Sequence, residues 1–336
     1  MHVFDESAAR SGQLPLAFQT ISIDPMRVFA GSNWQKCHYM IVNRLLSMCG
    51  FMTQSAFYLD YFDLDERPFT LVPDPEFLFW SPQHRRAYSV LEFGVLSRAP
   101  ITLLTGEIGS GKTTLLQNLL GRMDENVIVG LVSNAQGNRG ELLQWVLNAL
   151  DIPIDSEATY VQNFQKLQDF LIEQYAGGRR VVLVFDEAQN ISQEGLEELR
   201  MLTNINSNKD ELVQLILVGQ PELRDMVRHP SMYQLAQRVS ASFHLNRMNA
   251  ETTQGYIDHR MQTAGGTGHE FASSASKLVH SVTGGVPRLV NQLCDFALLY
   301  CWSEESGKSV TARMIQSVVD DGVFFCERQQ EKEAQA

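Results

Sequence analysis

The octapeptide Gly106-Glu107-Ile108-Gly109-Ser110-Gly111-Lys112-Thr113 fulfils the pattern G-x-x-x-x-G-K-[ST] at every specified position, and Thr114 follows it. The spacing is a chemical statement. Glycines without a Cβ let a loop turn its backbone N–H groups onto phosphate oxygens. A helix starting near Lys112 would direct the positive end of its dipole at the same oxygens. Lys112 can reach the β- and γ-phosphates, and the Thr113 hydroxyl can ligate Mg²⁺. The ligand implied is Mg-ATP, held by Gly106 to Thr114.

Two acids complement that loop. Val181-Val182-Leu183-Val184-Phe185 is a run of buried-strand character that delivers Asp186 and Glu187 at its carboxyl end, the edge of an open α/β sheet where ligands bind. In that place Asp186 would hold Mg²⁺ through its water shell, and Glu187 would orient and deprotonate an attacking water. The alternative is a strand ending in a solvated acidic turn. Gln220 closes a second such run, Leu215-Ile216-Leu217-Val218-Gly219. If that strand lies between the loop strand and the acidic strand, the amide faces the γ-phosphate; otherwise it is a capping residue before Pro221. Thr283-Gly284-Gly285-Val286-Pro287-Arg288 ends one helix and starts another. Arg288 then sits in a first turn, where the helix dipole disfavours a cation, so a triphosphate or a local carboxylate must offset it. Arg238, before the last strand, reads on its own as a surface arginine.

The elements that must position these residues alternate. Strands are expected at Ile101–Thr105, Val127–Val132, Val181–Phe185, Leu212–Val218 and, more weakly, Ser240–Leu245. Helices are expected over 82–97 with Ser81 as cap, over Lys112–Met123, Glu141–Leu150 and Tyr160–Tyr175, and after a cap at Ser192. Strands alternating with helices give an α/β fold with a doubly wound, mainly parallel sheet. After Met248 only helical signals remain, near 250–263, 271–282, 287–303 and 311–320, which marks a small C-terminal helical lid. Before the first strand, Tyr58-Leu59-Asp60-Tyr61-Phe62 and Pro68, Pro73 and Pro75 suggest an extended aromatic segment. The expected divisions are an N-terminal extension at 1–56, the aromatic and proline segment with its helix at 57–98, the ATPase domain at 99–247, the lid at 248–322 and a polar tail at 323–336.

The 336 residues are 44% apolar and 20% charged, a globular composition, with a formal net charge of −12. Such a chain is a poor general binder of nucleic acid, which needs clustered Lys and Arg. Cys37, Cys49, Cys294, Cys301 and Cys326 show no CxxC spacing, so neither a zinc site nor a disulfide framework is suggested, and free thiols fit a reducing compartment. The longest apolar stretch, Met40 to Met52, carries Asn43 and Arg44 and falls short of a membrane span. The string Leu46-Ser47-Met48-Cys49-Gly50 is not a lipoprotein cleavage box, because Met48 is not small and no adequate apolar region precedes it.

The whole series resembles the AAA+ secretion ATPases of the general secretion pathway protein A (ExeA-like) type. The residues that carry the resemblance are Tyr58-Leu59-Asp60-Tyr61-Phe62, Arg67-Pro68-Phe69, Pro73-Asp74-Pro75 with Phe77-Leu78, the phosphate loop, Asp186-Glu187-Ala188-Gln189-Asn190, Glu198 to Asn204, Leu217 to Leu223 and Gly284 to Arg288. It spans residues 57–322. By that resemblance Gln220 is the polar sensor, Arg288 the lid arginine that reads the γ-phosphate, and Arg238 the arginine finger given to a neighbouring subunit, which implies a homo-oligomer. Segment 68–80 would lie near the adenine. Full-length proteins of this type continue into a membrane helix and a cell-wall-binding domain, whereas this sequence resembles the short members linked to surface-polysaccharide export, pilus and secretion machinery. The implied setting is the cytoplasm, at the inner membrane through partner proteins. The same core also resembles origin-recognition and transposition ATPases, so DNA is the less favoured partner. A non-catalytic nucleotide switch is the further rival, and Glu187 argues against it. The family-like sequence begins at Phe57, so translation is expected to begin at Met52, with residues 1–51 outside the functional fold.

Overall fold

A computed structural model describes residues 58–133, 140–155, 157–207, 210–305 and 307–324. The expectations for residues 1–57 and for the polar tail beyond Phe324 lie outside the described residues. The described residues belong to one compact unit.

In chain order the elements are α1 (Leu59–Phe62), α2 (Pro82–Leu96), β1 (Ile101–Gly106), α3 (Lys112–Leu120), β2 (Val127–Ser133), α4 (Glu141–Ala149), α5 (Tyr160–Ala176), β3 (Arg180–Asp186), α6 (Gln193–Leu202), the short strands β4 (Asn206–Ser207) and β5 (Asp210–Glu211), β6 (Val213–Gly219), α7 (Pro221–Arg228), α8 (Tyr233–Arg238) and β7 (Val239–Leu245). Four helices close the described chain: α9 (Ala250–Thr263), α10 (Ser273–Thr283), α11 (Pro287–Ser303) and α12 (Ala312–Asp320). The main sheet has the order β2-β3-β6-β1-β7 with every pairing parallel. Strand β6 therefore does lie between the loop strand β1 and the acidic strand β3. The central strands are buried on both faces, which is why β1, β3 and β6 read as continuous apolar runs.

Two apolar layers enclose the sheet. One joins α4, α5, α6 and α7 to it through Leu143, Leu167, Phe185, Leu199 and Leu223. The other seats α2 and α3 through Leu91, Leu115, Leu116 and Val184. Helix α2 comes close enough to β1 only because residue 94 is glycine: a Cβ there would meet the Thr102 Oγ1 at 2.1 Å. Gln214 reinforces that seat by donating to the carbonyls of Gly94 and Val95, at 3.2 and 3.3 Å.

The third apolar cluster belongs to the lid. It unites α9 to α12 with Tyr58, Phe62, Leu64, Phe69 and Phe77 from the aromatic segment. The expectation of an extended segment at 58–62 needs amending, because those residues form the single turn α1. Packing of Phe62 and Tyr58 against lid helices overrides the weak local signal. Helix α3 stops at Leu120, where Gly121 caps it, rather than at Met123. Helices α7 and α8 and the β4–β5 pair lie outside the expected elements, although Leu223, Met226 and Val227 give α7 an apolar face at helical spacing.

Candidate nucleotide site

The phosphate loop connects β1 to α3 at the carboxyl edge of the sheet. Gly109 and Gly111 take φ values of 72° and 94°, in the left-handed region that only glycine enters cheaply. A Cβ on Gly109 would come within 2.4 Å of the Arg288 Cβ, and the Arg288 N–H donates to the Gly109 carbonyl at 3.3 Å. The start of α11 is thus fitted directly onto the loop.

Lys112 is buried at the loop's floor, and its ammonium donates to the carbonyls of Gly106 and Glu107, at 2.8 and 2.9 Å. Burial holds its pKa below the ordinary lysine value, and the nearby carboxylates of Glu187, Asp186, Glu107 and Glu222 pull it partly back. An ammonium has three N–H bonds, so one remains for a phosphate oxygen. The Ser110 hydroxyl is also buried in the loop without a hydrogen-bond partner. A buried donor left over inside a cradle of backbone N–H groups fits an oxyanion ligand.

Asp186 ends β3 and accepts from the Thr113 hydroxyl at 3.1 Å and from the Glu187 N–H at 3.0 Å. Burial raises the pKa of its carboxyl, while those two hydrogen bonds pull it down, the Glu187 charge adds to the rise and Lys112 opposes it. A divalent cation would offset this uncompensated burial. Among the described residues no group of three or more His, Cys, Asp or Glu side chains could hold a metal by itself. Thr113 and Asp186 supply two oxygens, which fits Mg²⁺, an ion that keeps several waters and shares phosphate oxygens.

Glu187 occupies a left-handed turn, φ 56° and ψ 37°, a conformation that costs energy for a side chain with a Cβ. Its Oε2 accepts from Gln189 Nε2 at 2.6 Å and from Gln220 Nε2 at 3.3 Å. Gln220 occupies the N-cap position of α7, but its side chain does not cap the helix and turns to Glu187 instead. Thus Lys112, Thr113, Asp186, Glu187, Gln220 and Arg288 come together at one edge of the sheet.

Arg288 lines this cleft and makes no ion pair among the described residues. Arg238 is not brought to the cleft. It ends α8, where it pairs with Glu211 Oε1 at 3.5 Å and Asn204 Oδ1 at 2.5 Å.

Several residues of the cleft carried no assigned role in the sequence. His84 on α2 is buried and bridges Ser81 Oγ at 2.7 Å and the Ser110 carbonyl at 3.1 Å. The carbonyl can only accept, so Nε2 carries the proton, and burial holds the ring's pKa below 6.5. Residues 70–74 and 77–79 border the cleft beside the phosphate loop. Arg260 and Asn291 fasten that segment to the lid. Arg260 donates to the Pro68 carbonyl at 2.5 Å and stacks 4.3 Å above the Phe77 ring. Asn291 donates to the Thr70 carbonyl at 2.9 Å. Neither contact has a local sequence signal, because each partner lies some two hundred residues away.

Comparison with known proteins gives this geometry its relatives. Residues 95–227 match the AAA domain family. Over 273 residues the chain is 34% identical to general secretion pathway protein A of Aeromonas hydrophila, covering 80% of this chain and 50% of that protein. The chain thus spans half the length of the curated relative it matches. Among solved structures, the Aeropyrum pernix ORC2 protein in its ADPNP–ADP complexes superposes with a TM-score of 0.56 at 18% identity, covering 76% of this chain and 71% of that one. Cdc6p from Pyrobaculum aerophilum gives 0.56 at 15% identity, over 71% and 68% of the two chains. At such identities these two share the fold alone. The phosphate loop, the sheet order and the long match to the secretion protein place the chain in the AAA+ family, as a relative of general secretion pathway protein A.

Proposed function

We propose that the chain binds Mg-ATP at Gly106–Thr114 and hydrolyses it to ADP and phosphate. The observation that carries the reading is the meeting of Lys112, Thr113–Asp186 and Glu187–Gln220 at one sheet edge. The loop's N–H groups, Ser110 and the free N–H of Lys112 would bind the phosphates. Thr113 and Asp186 would hold Mg²⁺, which when bound neutralises charge developing on the β- and γ-phosphate oxygens. Glu187, fixed by two amide donors at Oε2, keeps Oε1 for a water and takes its proton. Gln220 and Arg288 would read the γ-phosphate from the sheet side and the lid side.

Arg238 lies away from its own cleft, so it would serve a neighbouring subunit as a finger in a homo-oligomer. Turnover would drive assembly or operation of a secretion or exopolysaccharide export apparatus, in the cytoplasm beside inner-membrane partners. The supporting observation is the relative's name and the 34% identity with it. Among the described residues no helix is long and apolar enough to cross a membrane.

The direct test is phosphate release by the purified chain and by Glu187→Gln. The variant should bind ATP normally and lose about 10²–10⁴ in rate, the usual contribution of a general base. Near-normal turnover by Glu187→Gln would sink the assignment.

A further inference from the structure

Gln189 is two residues past Glu187, in the short 3-10 turn Ala188–Asn190. Its amide is used at both ends. Nε2 donates to Glu187 Oε2 at 2.6 Å, and Oε1 accepts from the backbone N–H of Gln220 at 3.1 Å. The second bond crosses to the next strand of the sheet, 31 residues on. Room for it depends on Gly219, since a Cβ there would lie 2.9 Å from Gln189 Oε1. A glycine at the end of β6 thus admits a side chain arriving from the end of β3.

This arrangement separates two tasks that the Gln220 side chain would otherwise perform alone. Gln220 Nε2 also touches Glu187 Oε2, at 3.3 Å. The Gln220 amide carries two N–H bonds, and turning the group so that the second meets a γ-phosphate oxygen shifts the 3.3 Å contact with that carboxylate. Gln189 need not move when this happens. Its tether is the backbone N–H of Gln220, whose position is set by the strand rather than by the side chain. The carboxylate ends a side chain with several free torsions, so without an external hold it would sample other rotamers.

We infer that Gln189 is the positioning residue for the base: it holds the Glu187 carboxylate in register with the end of β6 while Gln220 is free to engage phosphate. The inference rests on the proposed hydrolysis of ATP at this site. It explains why both ends of one amide are consumed at a point where a solvated side chain would serve a mere turn equally well.

The experiment uses the full chain with Gln189→Leu and Gln189→Glu. The first removes donor and tether. The second keeps an acceptor for Gln220 N–H but turns a second carboxylate toward Glu187. Both should lower kcat by about 10²-fold, the scale of a misplaced catalytic group. KM and ATP affinity should stay at wild-type values, and melting temperature should fall by no more than the few degrees that the lost hydrogen bonds cost. In a Glu187→Gln background, Gln189→Leu should cost nothing more, because the group it positions is already gone. Wild-type kcat in either single variant would overturn the inference, and so would a further loss in the double variant. Parallel loss of ATP binding and melting temperature in both variants would also overturn it, by making Gln189 a support of the fold. The proposed function is judged separately: if Glu187→Gln stops turnover while both Gln189 variants work normally, the ATPase reading stands and this inference falls. A wild-type chain without turnover removes both.

Discussion

Replacing Lys112 with alanine should separate ligand binding from fold stability. The side chain gives up two hydrogen bonds from a charged donor, to Gly106 and Glu107, each of a type that contributes about 1.5–3 kcal/mol. Against this, the ammonium is buried, and its lowered pKa shows that desolvation outweighs the pull of the four acids around it. Removing a charge with an unpaid burial cost of several kcal/mol offsets the lost bonds, so the ligand-free variant should lie within about 1 kcal/mol of the wild type. The ligand term is different. With Mg-ATP at 100 times its measured Kd, binding stabilises the wild-type chain by about 2.7 kcal/mol. That corresponds to a rise in melting temperature of about 4 °C for a chain of 336 residues. Thermal melts with and without Mg-ATP read this directly: the rise should appear in the wild type and vanish in Lys112→Ala. A full ATP-induced rise in the variant would show that the phosphates bind elsewhere and would refute the reasoning. A large fall in ligand-free stability would show that the burial cost has been overstated.

Arg238→Ala should cost about 1–2 kcal/mol of stability, because it loses a half-buried ion pair with Glu211 and a bond to Asn204. If it is a finger, turnover should fall by about 10³–10⁵ with ATP binding intact. Mixing with Lys112→Ala, which supplies an intact arginine, should restore activity, whereas a silent variant with concentration-independent turnover would leave a monomeric ATPase. His84 makes a pH prediction. Its folded pKa is depressed by burial, so the unfolded chain takes up the proton first, and the stability it contributes is present above pH 6.5 and lost as pH falls through the folded value. Melting temperature should therefore drop on acidification below pH 6.5, and less steeply in His84→Gln, with equal slopes counting against burial of a neutral His84 ring in the folded chain.

Much of this protein was legible because the signals are local. A phosphate loop needs its glycines, lysine and threonine within eight residues, so spacing alone announces it. Central strands such as β1, β3 and β6 are apolar on both faces and stand out as unbroken runs. Helix starts are equally local: Ser81 accepts from the His84 N–H and Ser192 from the Gly195 N–H, as expected of caps, and Pro82 and Pro287 open their helices. The order of the sheet was not local. Placing β6 between β1 and β3 was a condition attached to Gln220, and only the packed sheet met it. Helix α8, with 6 residues, is too short for its periodicity to stand out.

What the tertiary structure decided are the contacts between residues distant in sequence. Tyr58 to Phe77 join the lid core because Phe62, Phe69 and Phe77 find apolar partners there, while α2, only a few residues on, packs against the sheet. The sequence by itself determined a loop for phosphates, two acids at a strand's end and a helical region after the sheet. It could not show that Gln189 spans from Glu187 to the end of β6 across the space left by Gly219. Nor could it show that Arg288 enters where a Cβ on Gly109 would stand. Each of those depends on two backbones approaching within a few ångströms, a distance that folding sets and spacing along the chain does not.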